Sequence, residues 1–115
     1  MNPKMRDGAF IFLTDQKFDY DIQKEAIMFF KETEGITAIV REETARESDQ
    51  PRWAMITLMV HSDLSAVGFL AAITDKLAKH GISVNPVSAF YHDHLFVPWE
   101  KRNEAMQLLH SFQSA

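Results

Sequence analysis

The order of hydrophobic patterns in the second half of the chain constrains the fold more than any other feature of the sequence. Apolar residues first alternate as in a strand, then recur at helical spacing, then return to strand-like runs before a last helical stretch. The predicted elements are a strand over Trp53–His61, a helix from Asp63 or Ser65 to about His80, strands over Ile82–Phe90 and His94–Val97, and a helix over Glu100–Phe112. The chain from about Arg52 onward therefore predicts the order βαββα.

Both predicted helices carry an apolar stripe, which indicates burial against a sheet. The stripe of the first helix comprises Val67, Leu70, Ala71, Thr74, Leu77 and Ala78, with Phe69 and Ile73 beside it. The stripe of the second helix comprises Ala105, Leu108, Leu109 and Phe112. Gly81 follows the first helix at the position where a left-handed residue commonly ends a helix.

Pro86 lies inside the second predicted strand and limits where that strand can sit. Because proline cannot donate to a sheet ladder, the strand belongs at a sheet edge or carries a bulge. A ferredoxin-like fold orders its strands 4-1-3-2, which places strand 2 at an edge. The sequence therefore predicts an α+β, ferredoxin-like unit with an antiparallel sheet and helices on one face.

The predicted unit lacks the fourth strand of that fold, since Ser111–Ala115 is too short to supply it. The first strand would then have a long, apolar, unpaired edge, which proteins rarely leave exposed. We expect a strand from the N-terminal half to cover this edge, in particular one from a hairpin within residues 26–40.

Three short apolar runs mark the N-terminal half, at Ala9–Leu13, Ala26–Phe30 and Ile36–Val40. The polar loop Lys31–Gly35 between the last two runs predicts a β-hairpin. A helix over Asp21–Thr33 is the alternative, because Gln, Lys, Glu and Ala favour helix. The β-branched residues of the third run favour the hairpin.

The polar stretch Glu42–Pro51 predicts a connector, with room for a helical turn. It divides the chain into an N-terminal β-rich half over residues 1–50 and a second domain over residues 51–115. The N-terminal half is expected to contain one strand and the hairpin.

Composition and charge narrow the classes of function. A net charge of −4 without a basic cluster argues against a nucleic-acid partner. No apolar run approaches the roughly 18 residues that span a bilayer, and the N-terminus lacks the apolar stretch of a signal peptide. The chain has no cysteine, which removes thiolate chemistry and suits a reducing cytoplasm.

Three segments in this order resemble the ACT domain family. Val67–Ala71 resembles the Gly-Val-Leu opening of the first ACT helix, Leu77–Ser83 resembles a PLA-x-x-GIS passage, and Ser88–Val97 resembles an STF-x-TDY-ILV hairpin. The resemblance covers about Arg52 to Leu109. It is closest to small stand-alone bacterial ACT proteins, which are related to the ACT repeats of eukaryotic arginine sensors. Val67, Ala89 and His94 depart from the family pattern near the expected ligand cleft.

The resemblance implies a ligand at the loop between the first strand and helix, facing the later hairpin. The residues it singles out are Ser65, Ala66, Val67, Gly68 and Phe69 on the loop side and Ser88, Phe90 and Asp93 on the hairpin side. A helix N-terminus offers unpaired amide groups to a carboxylate, and Asp93 could accept from an amino or guanidinium group. The alternatives are that Gly68 only permits helix–sheet packing and that Asp93 only bonds its own turn.

His92 and His94 share one face of the hairpin, and His61 could add a third imidazole to form a metal site. No spacing fixes such a set of three ligands. The chain also has no Gly-x-Ser-x-Gly and no His-Glu-x-x-His motif.

These patterns together predict a cytoplasmic regulatory protein that is not an enzyme and uses no cofactor or metal. We expect it to bind a small molecule, an amino acid or a related metabolite, at an interface between ACT-like units, with a homodimer as the expected assembly. A ligand-free interaction or assembly module is the alternative. A metal-dependent enzyme that uses His92 and His94 is a third possibility.

Overall fold

The computed structural model of the chain describes residues 2–46, 48–59 and 68–112. These residues form two compact units. The major unit comprises the described residues of Met1–Asp7 and Ala54–Ala115, and the minor unit comprises Gly8–Trp53. The residues up to Asp7 thus group with the second half of the chain, although the sequence alone places them in the first.

Seven strands and four helices make up the described part of the chain. The strands are β1 (Pro3–Met5), β2 (Phe10–Asp15), β3 (Met28–Lys31), β4 (Ile36–Arg41), β5 (Trp53–Leu58), β6 (Asn85–Ser88) and β7 (Asp93–Pro98). The helices are α1 (Tyr20–Glu25), α2 (Glu42–Ala45), α3 (Phe69–Lys79) and α4 (Arg102–Phe112), and a 3-10 turn at Trp99–Lys101 leads into α4.

The strands of the major unit lie in the order β1-β5-β7-β6. This order reproduces the 4-1-3-2 arrangement of a ferredoxin-like fold, with β1 in the place of strand 4. Pro86 lies on β6, the edge strand, opposite Leu95 of β7. The predicted α+β, ferredoxin-like architecture and the edge position of Pro86 are both confirmed.

The N-terminal strand β1 covers the edge of β5. Its three residues pair antiparallel with Ile56–Leu58, and the Arg6 amide continues the ladder by donating to the Met55 carbonyl at 2.9 Å. A strand from the first half was expected there. The expectation that the hairpin within residues 26–40 supplies it was wrong, because β3 and β4 pair with each other and β4 pairs with β2.

The core of the major unit lies between its sheet and α3 and α4. Its buried side chains are Ala54, Ile56, Leu58, Ile73, Leu77, Ile82, Leu95, Val97, Ala105 and Leu109. The predicted inward face of α4 is confirmed, since Ala105 and Leu109 are fully buried and Leu108 and Phe112 pack against the core. Lys76 ties the two helices together by donating to the Ser111 hydroxyl at 2.8 Å.

The buried face of α3 differs in phase from the predicted stripe. Ile73 and Leu77 are fully buried, whereas Ala71 and Ala78 are exposed. Residues four apart stack on one face of a helix. Ile73 and Leu77 therefore form the face that packs against the core, and the two alanines point away from it. Gly81 has φ +73°, and the Ile82 amide donates to the Leu77 carbonyl at 3.0 Å, as expected for a left-handed helix end. No helix in the described ranges is long and apolar enough to cross a membrane.

In the minor unit β4 lies between β2 and β3, and both pairings are antiparallel. The predicted hairpin is confirmed, with paired hydrogen bonds between Glu32 and Gly35 closing its loop. The alternative helix over Asp21–Thr33 is wrong for most of its length, because helix is confined to α1. The Asp19 carboxylate begins α1 by accepting from the Ile22 amide at 2.9 Å. The helical turn allowed for in the connector is present as α2.

Candidate functional site

The predicted loop side of the site is only partly described. Ser65, Ala66 and Val67 lie outside the described residues, as do Asp63, the other predicted helix cap, and His61. The described remainder comprises Gly68, which is exposed, and Phe69, which is half-buried and packs against the core.

Gly68 forms the N-cap of α3 and has a left-handed backbone with φ +82°. A side chain there would be strained by that backbone angle. A Cβ atom added at Gly68 would meet no atom within 4 Å among the described residues. The glycine is therefore explained by its backbone conformation, and the alternative of close helix–sheet packing has no support here.

No residue that the structure describes supplies a side-chain cap to the N-terminus of α3. Gly68 cannot supply one, and its carbonyl instead accepts the first helical bond from the Ala72 amide at 2.9 Å. The first turn also contains no acidic residue. Because the first amides of a helix lack helical partners and carry the positive end of the helix dipole, this terminus can accept an anionic group.

Ser88 and Asp93 are direct cross-strand partners at the ends of β6 and β7. Asp93 lies two and four positions before Leu95 and Val97, whose side chains are in the core beneath the helices. Since alternate residues of a strand point to the same face, Asp93 and its partner Ser88 project on the helix side of the sheet.

The Asp93 carboxylate is half-buried and has no hydrogen-bond partner among the described residues. The turn before it is closed by the backbone, where the Ala89 amide donates to the His92 carbonyl at 2.9 Å. The alternative in which Asp93 serves only to bond its own turn is therefore not supported by the contacts of the described residues.

Phe90 differs from the other hairpin residues that the resemblance implied. It is 93% exposed, and its described contact is an edge-on packing against the Tyr91 ring, with centroids 5.1 Å apart. The structure thus brings Ser88 and Asp93 together and leaves Phe90 at the tip of the turn.

Connectivity places the N-terminus of α3 at the same end of the major unit as this hairpin. α3 ends at Lys79, a few residues before β6 begins at Asn85, so its C-terminus lies at the end where β6 starts. The eleven residues of α3 span about 16 Å, which carries its N-terminus back toward the end where β6 finishes at Ser88. The N-terminus of α3 and the Asp93 carboxylate therefore belong to one end of the unit.

The opposite face of the sheet carries a second polar arrangement, which the sequence did not predict. His94 Nδ1 and the Thr57 hydroxyl are hydrogen-bonded at 2.8 Å, and the His92 and His94 rings pack edge-on with centroids 6.1 Å apart. Burial lowers the pKa of His94 below its ordinary value, and the charges of His92 and Arg6 lower it further, against an opposing effect of Asp93. Arg6 reaches this arrangement through the pairing of β1 with β5, which no local pattern reveals.

Among the described residues, no third side chain joins His92 and His94 to form a metal site. No group of three His, Asp or Glu side chains that could hold a metal ion occurs within residues 2–46, 48–59 and 68–112. His61, the proposed third imidazole, lies outside these ranges.

Family comparisons agree with the architecture of both units. One ACT domain model matches residues 49–111 and a second ACT domain model matches residues 1–52. The chain belongs to the ACT domain family, whose members are generally regulatory, ligand-binding modules. No curated protein compared with the chain matches it.

Solved structures with the same fold come from several proteins. A Vibrio cholerae protein of unknown function, described as a possible transport protein, is 40% identical, with a TM-score of 0.83 over 93% of this chain and 85% of its own. A protein from Agrobacterium tumefaciens is 16% identical, with a TM-score of 0.77 over 95% of this chain and 86% of its own. The aspartokinase alpha and beta subunits are 13% identical, with a TM-score of 0.69 over 100% of this chain and 99% of the matched chain.

Proposed function

We propose that this protein is a cytoplasmic sensor that binds a free amino acid, or a closely related metabolite, and regulates a partner process without catalysing a reaction. The observation that carries the proposal is the half-buried Asp93 carboxylate, which has no hydrogen-bond partner among the described residues. It lies at the end of the unit where α3 begins at Gly68, a residue without a capping side chain. An amino acid offers one group for each of these features.

The two features complement the two charges of an amino acid. Its carboxylate would sit at the N-terminus of α3, where amide groups and the helix dipole favour an anion. Its amino group, or a basic side chain, would donate to Asp93, with the Ser88 hydroxyl beside it.

Regulation would follow from assembly. In this proposal the ligand lies at an interface between ACT units of two copies in a homodimer, and it binds one packing of the copies better than another. A ligand shifts such an equilibrium only by its difference in affinity for the two states. The ligand would therefore act by changing the population of assembled states.

Thermal unfolding with each of the twenty amino acids tests the proposal. A specific ligand at about 100 times its Kd should stabilise the protein by about 2.7 kcal/mol. The variant Asp93→Asn keeps the shape of the side chain and removes its charge, so binding of that ligand should weaken about tenfold or more. Asp75→Asn is the matched control, because Asp75 is an exposed aspartate paired with Lys79 on α3. Equal weakening by both variants would contradict the assignment of Asp93.

A ligand-free interaction module is the second candidate. It is favoured by Phe90 and Tyr91, whose side chains are 93% and 80% exposed at the tip of the β6–β7 turn. Large exposed aromatic side chains are typical of protein contacts. Absence of stabilisation by all twenty amino acids would favour this function over the sensor.

A further inference from the structure

A groove of about 400 Å³ crosses the major unit on the face of the sheet away from α3 and α4. Its lining includes Lys4 and Arg6 from β1 and the residue after it, Thr57 and Met59 from β5 and the residue after it, and His92 and His94 from the hairpin. None of these side chains belongs to the amino-acid site proposed above.

Strand pairing explains why these residues meet. Lys4 lies directly opposite Thr57 in the β1–β5 ladder, and Thr57 is hydrogen-bonded to His94 on β7. Arg6 lies two positions after Lys4, so both side chains point to the same face, while Met5 between them packs into the core. A row of nitrogen and hydroxyl groups thus crosses three strands on one face.

Lys4 and Arg6 give the groove two positive charges, and His92 and His94 add two imidazoles. No carboxylate is among the described residues that line it. Lys4 and Arg6 are exposed and take part in none of the ion pairs found within the described ranges. A chain with net charge −4 has a surplus of acidic groups, so two unpaired cations beside two imidazoles make an anion the complementary ligand.

We propose that this groove binds the phosphate group of a small metabolite, held by Lys4 and Arg6 and by the His92 and His94 imidazoles. A guanidinium can donate two parallel hydrogen bonds to a phosphate, and an ammonium group adds a point charge. A phosphate dianion presents three oxygens and two charges to these donors, whereas a carboxylate presents two oxygens and one charge. The site is separate from the amino-acid site and goes beyond the proposed function.

The electrostatics of His94 support the same assignment. The titratable groups that line the groove with His94 are His92 on the hairpin and Lys4 and Arg6 at β1, while its neighbours Thr57 on β5 and Val87 on β6 do not titrate. Asp93 is adjacent in sequence, projects from the other face and acts on His94 only through its charge. The pKa of His94 is lowered by burial, by His92 and by Arg6. A bound anion would relieve this repulsion, so phosphate binding and protonation of His94 should favour each other.

Titration of the intact chain with inorganic phosphate, followed by calorimetry and by the NMR signals of the His94 ring, tests the proposal. Saturable binding is expected, with an upward shift of the His94 pKa when phosphate is bound. Arg6→Gln and Lys4→Gln should each weaken binding about tenfold, which corresponds to about 1.4 kcal/mol. Lys31→Gln is the matched control, because Lys31 is an exposed cation on a strand outside the groove, and it should leave the affinity unchanged.

Three results would overturn the proposal. They are the absence of saturable phosphate binding, equal weakening by Lys31→Gln, and tighter binding of succinate than of phosphate. Asp93→Asn distinguishes this site from the amino-acid site. It should abolish the amino-acid response while leaving phosphate binding intact or slightly stronger, because it removes a negative charge near His94.

Discussion

In the major unit, α3 and α4 bury Ile73, Leu77, Ala105 and Leu109 against the sheet. In the minor unit, no residue of α1 or α2 is fully buried. Each half of the chain matches an ACT domain model, so members of one family can differ in how deeply their helices are buried. The minor unit relies on its strands and on ring contacts such as Phe18 with Phe29, whose centroids are 6.2 Å apart.

The N-termini of α1 and α3 also differ, in how they are capped. The Asp19 side chain already occupies the N-terminus of the six-residue α1, whereas the eleven-residue α3 begins at a glycine that can cap nothing. A long helix whose N-cap residue is glycine can receive a ligand carboxylate, and a short helix capped by a carboxylate cannot offer the same amides. This contrast is why the ligand site is assigned to the major unit.

Deleting residues 1–6 should have the largest effect, because it removes β1 and exposes the edge of β5. An apolar unpaired edge favours pairing between molecules, so we expect aggregation in size-exclusion chromatography. The double substitution Lys4→Gln with Arg6→Gln keeps the strand and should remain dispersed. A fragment of residues 46–115 should aggregate for the same reason, and a monodisperse 46–115 fragment would show that β1 is dispensable.

Core truncation compares the helices of the two units directly. Leu77→Ala should lower the free energy of unfolding by about 2–5 kcal/mol, because Leu77 is fully buried. Ile22→Ala on α1 should cost less than about 1.5 kcal/mol, since Ile22 is only half-buried. Urea unfolding of both variants measures the difference. If the two variants cost the same, the contrast between the helical layers is wrong.

The lowered pKa of His94 should make the stability of the major unit depend on pH, which is a smaller effect than the two above. Because the folded pKa is lowered, the unfolded chain takes up a proton first as the pH falls. The contribution of His94 to stability is therefore fully present above about pH 6.5 and is lost as the pH falls from there through the lowered folded pKa. Arg6→Gln removes one cause of the shift, so it should raise the His94 pKa and reduce this loss.

An NMR titration of the His94 ring measures that change. Lys31→Gln should leave the His94 pKa where it is, because Lys31 is not among the groups that act on it. A His94 pKa that stays the same or falls in Arg6→Gln would show that the Arg6 charge does not act on this ring.

Much of the fold could be predicted from local patterns. The βαββα order, the edge position of Pro86 and the inward face of α4 all follow from periodicity and from the missing amide of proline. The strand β1 was missed because three residues beginning with proline are too short to show a period. Helix α1 overlaps the start of the alternative helix over Asp21–Thr33, but its bounds could not be predicted, because Ile22 is its only aliphatic residue and it has no apolar stripe.

The candidate site residues likewise fall into a group that local sequence patterns predict and a group that they do not. Ser88 and Asp93 could be singled out because they flank one tight turn and pair locally. The meeting of Lys4 with Thr57 and His94 joins residues more than fifty and thirty positions apart through strand pairing. A pattern in a single sequence carries no signal for such contacts.

An amide NMR titration with the amino acid that stabilises the protein most tests whether the ligand binds the major unit. The largest shifts are expected at Phe69–Ala71 and at Ser88 and Asp93, with small changes at Asp19–Ile22 in the minor unit, and Asp93→Asn should remove the shifts. Largest shifts at α1, or undiminished shifts in Asp93→Asn, would contradict the assignment of the ligand site to the major unit.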